Sequence, residues 1–366
     1  MTDNNVKLLL PLLLVYLSRS KTITAAASSS SSPPPPPSSP YLFASTFAAD
    51  YSHMLSSFKI FIYNTTDPSS PPRFASPAQS LFYDCLLRSP FVTLSADDAH
   101  LFFVPFSSAT SLSNRALARL VTSLKSSLPY WNRTLGSDHF YLSCHGLAFS
   151  SDRGLLELKK NSIQVSCFPA NRFIPHKDVT LVPRAESSPG ESVTARVSRE
   201  YLAYARFGAV KNTGLLDGLR KDEEFLVESQ PSDEVTWRTK MGSSELCLFE
   251  YGEGDFTGLS EAMRFGCVPT VITNRPMNDL PLIDVLSWRE IGAFVGKDPE
   301  RLRTALGDVA REGRKMDRMR RLGAQASRHL SWNEAPQPLD AFHMVMYQLW
   351  IRRHTTRYVR RPELAP

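Results

Sequence analysis

The residues best suited to chemistry lie in one stretch, Glu245-Leu-Cys-Leu-Phe-Glu-Tyr-Gly-Glu-Gly-Asp-Phe-Thr-Gly-Leu-Ser-Glu261-Ala-Met-Arg-Phe-Gly266-Cys-Val-Pro-Thr-Val-Ile272. An apolar strand, Leu246-Cys-Leu-Phe249, ends in a glycine-rich loop, and the loop opens a helix. Gly252, Gly254 and Gly258 have no side chain to keep a ligand from the backbone. A helix amino terminus offers free N–H groups and partial positive charge, which suits a diphosphate. Glu261, near the first turn, carries acceptor oxygens for a ribose diol. A plain strand–turn–helix with a glycine turn and a solvent-facing Glu fits the same residues equally well.

A second cluster, Asp138, His139 and His145, surrounds the strand-like run Phe140-Tyr-Leu-Ser-Cys144. A general base must reach an acceptor hydroxyl, and a residue at a strand end reaches further than one inside the strand. His145 is therefore the first choice as base, with Asp138 and His139 as alternatives. A hydrogen-bonded structural role suits each His as well. Tyr130, Trp131 and Arg133 are candidate contacts to an acceptor, and core packing suits the aromatics equally. The five cysteines, Cys85, Cys144, Cys167, Cys247 and Cys267, show no CxxC spacing, so a zinc site is not indicated. Cys144 with Cys167 is the first pair to test in an oxidising compartment. Each Cys also lies in an apolar run, where it serves as a small buried hydrophobe.

The elements that position these residues alternate between strand and helix. Phe58-Lys-Ile-Phe-Ile-Tyr63, Leu101-Phe-Phe-Val104, His139-Phe-Tyr-Leu142, Ile163-Gln-Val-Ser-Cys167 and Val179-Thr-Leu-Val182 read as strands. Helices fall at 78–87 and 114–128, each with an apolar face. Residues 183–193 read as a polar link, and a second half starts near Tyr201. There a strand at 246–249, a helix at 258–265 and a strand at 268–273 follow in order. Asp298 caps one long helix through Pro299, with Leu302, Leu306, Val309, Met316 and Met319 inward. A last helix covers 342–351. The pattern predicts two Rossmann-like α/β domains facing a cleft, 51–190 and 191–350, each with a parallel sheet covered on both faces.

Several ordered motifs carry a family resemblance. Glu261-Ala262 followed by Gly266-Cys-Val-Pro-Thr-Val-Ile272 resembles the E-A-x-x-x-G-C-V-P-V-x-I signature of exostosin-type glycosyltransferases. Leu280-Pro281, Asp284-Val-Leu-Ser-Trp288 and Ala293-Phe-Val295 resemble that family's next block. Ala99-His-Leu-Phe-Phe-Val-Pro-Phe106, Tyr130-Trp-Asn-Arg-Thr-Leu-Gly-Ser-Asp-His-Phe140 and Phe173-Ile-Pro-His-Lys-Asp-Val179 are similar to its amino-terminal blocks. The resemblance spans roughly residues 58–296, and its wording is closest to the plant cell-wall branch. It implies a GT-B type inverting transferase that moves a sugar from a nucleotide sugar, a UDP-sugar first, to a cell-wall polysaccharide or glycoprotein glycan. The carboxyl-terminal domain would hold the donor, and the amino-terminal domain the acceptor and the base. With no D-x-D pair, no metal or other cofactor is expected.

Two departures stand out. Gly258 occupies the position, three before Glu261, where the family often has an Arg that grips the diphosphate. Arg264 and Arg275 are the candidate replacements. Gly146 follows His145 where an Asp is common. These departures support an alternative: a weak or inactive member that binds glycan or acts as a scaffold subunit of a transferase complex.

The chain has 366 residues, 42% hydrophobic and 21% charged, enough for two domains of ordinary size. Its formal net charge is +6, and residues 300–361 hold 14 Lys/Arg against 6 Asp/Glu, a local +8. A solvated helix face accounts for this best, and no nucleic-acid motif accompanies it. Residues 351–366 read as a basic tail. Residues 1–21 contain a short apolar run, Leu8 to Leu17, that fits a signal peptide or a short signal anchor. A Ser/Pro-rich stem follows at 22–50. Asn64-Thr-Thr66 and Asn132-Arg-Thr134 are glycosylation sequons. Together these predict a lumenal Golgi protein, single-pass with type II topology and in contact with the membrane and other Golgi transferases. Cleavage of the leader would yield a secreted form.

Overall fold

The computed structural model describes residues 39–64, 72–107, 113–147, 150–170, 172–184, 198–206, 214–228, 230, 232–252 and 255–355. All of them belong to one unit of the chain, Ser39–Pro366. The apolar leader, most of the stem and the 185–193 part of the expected link lie outside the described residues. Among the described residues no helix is long and apolar enough to cross a membrane.

The first half contains α1 (Ala44–Ser57), β1 (Ile60–Ile62), α2 (Pro77–Leu87), β2 (Val92–Thr93), β3 (Leu101–Phe103) and α3 (Asn114–Ser127). It continues with α4 (Tyr130–Thr134), β4 (His139–Leu142), α5 (Arg153–Asn161), β5 (Ile163–Cys167) and β6 (Val179–Leu181). The strands form one sheet in the order β2-β1-β3-β4-β5-β6. All its pairings are parallel. β3, β4 and β6 are buried along their whole length, as sheets covered by helices on both faces must be.

The second half contains β7 (Tyr201–Arg206), β8 (Phe225–Glu228), α6 (Glu234–Gly242), β9 (Ser244–Glu250), α7 (Leu259–Arg264) and β10 (Val268–Ile272). α8 (Trp288–Ile291), β11 (Ala293–Val295), α9 (Pro299–Arg311), α10 (Gly313–Ser327) and α11 (Ala341–Thr355) complete it. The sheet order is β11-β10-β9-β7-β8, again all parallel.

Helix starts are set by side-chain caps. Ser76 accepts from the Gln79 N–H with Pro77 at the first turn, Asp152 from Leu155, and Asp233 from Val235 and Thr236. Asp298 caps α9 with Pro299 behind it, as its spacing requires. The long helix expected from Pro299 is instead two. Glu312 leaves helical geometry at φ −76° and ψ 57°, and α10 restarts at Gly313. The break lets Leu302 and Leu306 of α9 and Met316 and Met319 of α10 reach one core with Leu246 and Val268.

α11 packs on β6 and α1, so this helix of the second half covers the first sheet. Phe342 meets Phe82 of α2 at 5.7 Å. Arg352 and Arg353, assigned by sequence to a basic tail, are buried in α11, and Arg352 binds Asp284 at 2.6 Å. The other cations after residue 300 are largely paired. Arg301, Arg303, Arg311, Lys315, Arg318 and Arg320 each face a carboxylate, so the local charge is a solvated, ion-paired helix face. Disulfides join Cys144 to Cys167 and Cys247 to Cys267, and Cys85 is a free, buried thiol.

Candidate active site

In an open parallel sheet, ligands bind beyond the carboxyl ends of the strands, where the chain order reverses. In the second sheet that point lies between β7 and β9, since β8 lies outside β7 and β10 outside β9. β7 ends at Arg206 and β9 at Glu250. Tyr204, Arg206, Phe249, Asp255 and Gly258 are among the residues lining a small cavity there. The Arg206 guanidinium lies 4.8 Å from the Trp237 ring centroid. The Tyr204 hydroxyl donates to Glu228 at 2.6 Å, and Glu228 also accepts from Ser232 at 2.6 Å and Lys240 at 2.5 Å. Burial pushes the Glu228 carboxyl up, but these three donors outweigh it and hold it below the usual range.

The glycine loop follows β9. Gly252 has φ +92°, a conformation that other residues rarely adopt, and the space around its missing Cβ is empty to 4 Å. Gly254 lies outside the described residues. Gly258 precedes α7, and a Cβ there would stand 2.9 Å from Met241 Cε and 3.0 Å from Trp237 Cζ3. α6 therefore packs directly on the loop.

Glu261 is buried at 5% exposure, not facing solvent. Its Oε1 accepts from Arg264 at 3.0 Å and its Oε2 from Ser260 at 3.1 Å. Arg264 is thus committed to Glu261 on its own helix, which corrects the expectation that it replaces the absent Arg. Arg275 is exposed and stacks 5.0 Å from the Tyr251 ring centroid. Burial first, and then the Asp279 carboxylate at 2.9 Å, push the Tyr251 hydroxyl up to about 12. Lys297 reaches Glu250 at 3.1 Å and the Tyr251 carbonyl at 3.0 Å.

The carboxyl ends of the two sheets meet at this point. Phe168, just past β5, stacks edge-on against Phe256 at 4.6 Å and lies 6.1 Å from Tyr251. The Ala170 N–H donates to Asp279 at 2.7 Å. His145 is exposed just past β4, at this same end of the first sheet. Its neighbour Cys144 is bonded to Cys167 at the end of β5, which ties the two strand exits together.

The other base candidates are placed differently. Asp138 and His139 lie at the amino end of β4 and are 2% and 0% exposed. Asp138 binds His139 Nδ1 at 2.7 Å, Thr134 at 2.6 Å and Arg133 at 3.1 Å, while His139 Nε2 meets the Tyr63 hydroxyl at 2.8 Å. Burial lowers the His139 pKa. Burial raises that of Asp138, and its hydrogen bonds and neighbouring cations lower it further than burial lifts it. Both are structural members of a closed network, which corrects their candidacy as bases. Trp131 is fully buried and donates to Glu157 at 3.3 Å, so it is core. Arg133 lies over the Phe102 and Tyr130 rings, and Tyr130 donates to Asp97 at 2.7 Å. Both belong to α4, which leads into the amino end of β4. Asn64 and Asn132 are both exposed, while Thr65 and Thr66 lie outside the described residues.

A cavity of about 910 Å³ opens beside the edge strand β11, lined in part by Arg275, Met277, Trp288, Phe294 and Met319. It opens at the edge of the sheet opposite β8 and shares Arg275 with the β9 exit, where that side chain stacks on Tyr251.

Two Rossmann-like parallel sheets meeting at their carboxyl ends define the GT-B class of glycosyltransferase fold. The exostosin GT47 domain matches residues 54–307, and the chain belongs to that glycosyltransferase family. Among its relatives, the Probable glycosyltransferase At5g03795 of Arabidopsis thaliana is 29% identical, covering 86% of this chain. The match spans 65% of that relative, slightly under two thirds of its length. The Probable beta-1,4-xylosyltransferase IRX10 of the same plant is 27% identical over 74% of each chain. The Probable glucuronosyltransferase 47 A of Physcomitrium patens is 25% identical over 79% of this chain and 74% of its own.

Proposed function

We propose that the chain transfers a sugar with inversion from a UDP-sugar to a hydroxyl of a cell-wall polysaccharide or glycoprotein glycan, without a metal. Carrying this reading is the exostosin signature segment, which forms the β9–loop–α7 unit at the switch point, opposite the β5 exit. The acceptor oxygen attacks the anomeric carbon from the face opposite the diphosphate. As that bond forms, the bond from the anomeric carbon to the diphosphate oxygen breaks and UDP leaves. His145 takes the hydroxyl proton, because it is the one base candidate exposed at the carboxyl end of the first sheet. The expected result is UDP release from a UDP-sugar in the presence of a plant glycan, lost in Glu261→Ala. Unimpaired turnover in that variant would remove Glu261 from the donor site. Glu261→Gln, which still accepts from Arg264, separates a folding defect from lost donor binding.

The two disulfides support folding in an oxidising lumen, and with the leader they support the Golgi, type II placement. A tagged full chain resistant to protease in intact Golgi vesicles is the expected outcome.

A second reading, a weak or inactive scaffold subunit, draws on Gly258 and on the Glu261–Arg264 pair, which leave neither a side chain at 258 nor a free Arg264 for phosphate. Failure of every common nucleotide to bind would favour it.

A further inference from the structure

We propose that Arg206 supplies the diphosphate-binding cation that is missing from position 258. The inference deepens the donor-site reading above and rests on it. Arg206 ends β7 and lines the cavity at the β7–β9 switch together with Phe249, Asp255 and Gly258. It makes no ion pair among the described residues, and its Nε is buried without a hydrogen-bond partner. Asp255 lines the same cavity but makes no ion pair with Arg206 among the described residues, so the guanidinium keeps an unused donor for an added anion.

Trp237 holds it there. The guanidinium stacks 4.8 Å from the indole centroid, a contact that fixes its plane. The same indole bears on the other possibility. A Cβ at position 258 would stand 3.0 Å from Trp237 Cζ3 and 2.9 Å from Met241 Cε. A side chain at position 258 would crowd Met241 and Trp237 where they now lie, so one or the other must shift to admit it. The glycine at 258 and the arginine at 206 are two halves of one arrangement: the loop gives up its side chain, α6 moves Trp237 into the space, and Trp237 presents Arg206. The ligand class follows from the charge and the fork geometry, a nucleoside diphosphate or the diphosphate of a nucleotide sugar. Asp255 in the same cavity sets a limit. Its Oδ1 accepts from the Thr257 N–H at 2.8 Å, so part of its charge is taken up by the backbone.

The test compares UDP with uridine by isothermal titration on the full chain. Arg206→Ala should weaken UDP at least tenfold and leave uridine unchanged, since uridine lacks the phosphates that Arg206 grips. Arg206→Gln, which keeps most of the stacked volume, should show the same split, and Arg206→Lys should recover part of the UDP affinity. A purely structural role would weaken uridine and UDP alike, or neither, and either result overturns the proposal. If the unaltered chain binds uridine but the variants keep full UDP affinity, the inference fails and the donor site stands. If the unaltered chain binds neither, the donor-site reading itself fails.

Discussion

His145 differs from the other two base candidates only in where the strand leaves it. Asp138, His139 and His145 lie within one short stretch, yet β4 puts the first two at its buried amino end and the third past its carboxyl end. Replacing His145 by Ala should lower kcat by about 10²–10⁴-fold with little change in the melting temperature, because an exposed side chain supports no packing. Turnover equal to the unaltered enzyme would move the base elsewhere. His139→Ala should do the reverse and unfold the domain at lower denaturant, since it breaks the Asp138–His139–Tyr63 network. The strand-end position put His145 first, but the burial of the other two was not legible. Burial depth depends on strands whose neighbours come from distant sequence: Tyr63 reaches His139 across 76 positions. Arg206 gave no signal in the sequence, because it stands outside the signature segment and beside a chain reversal visible only in the sheet order.

The disulfides act at the level of elements. Cys247–Cys267 ties β9 to the residue before β10 and closes a loop with a sequence separation of 20. Removing both cysteines should cost about 3 kcal/mol in guanidinium unfolding. Cys144–Cys167 instead joins the strand exits beside His145, so its loss should reduce kcat as well as stability. A second element-level tie is His329, whose Nδ1 meets the Leu339 carbonyl and whose Nε2 meets the Tyr41 hydroxyl, both at 2.7 Å. With Nδ1 as donor, Nε2 accepts from Tyr41. Burial lowers its pKa from 6.5 to about 4, against the pull of the Leu339 carbonyl. The unfolded chain takes up a proton that the folded chain refuses between those values. Its contribution is therefore complete above pH 6.5 and falls away as the pH drops towards 4, a span worth about 3 kcal/mol. Urea titrations at several pH values should show this slope, and His329→Gln should flatten it.

At the scale of the molecule, α11 decides whether the chain folds as a whole. It comes from the end of the sequence but packs on β6 and α1 of the first half. Ending the chain at Asp340 removes Phe342, Met344, Val345, Met346, Leu349 and Trp350, all buried. Each large core side chain is worth about 2–5 kcal/mol, and a whole domain is stable by only about 5–15. The truncated chain should lose its cooperative melting transition by circular dichroism, and a sharp transition near that of the full chain would refute this placement. Apolar spacing marks the last helix in the sequence but not its destination, which depends on the edge strand β6 and on α1.

The sequence by itself determined the alternation of strands and helices, the cap at Asp298, the parallel two-sheet class and the family motifs. All of these are local patterns: side-chain period, turn chemistry and short ordered blocks. Weaker elements such as α1, α5, α6 and β8 were not legible. Their form depends on partners, as α6 shows by laying Trp237 and Met241 against the Gly258 loop. Only the tertiary structure decided that Glu261 is tied to Arg264, that Asp138 and His139 are sealed in, and that Arg206 stands at the switch point. Each of these is a meeting of side chains set by the order of strands and the depth of the core, and linear spacing carries no information about either.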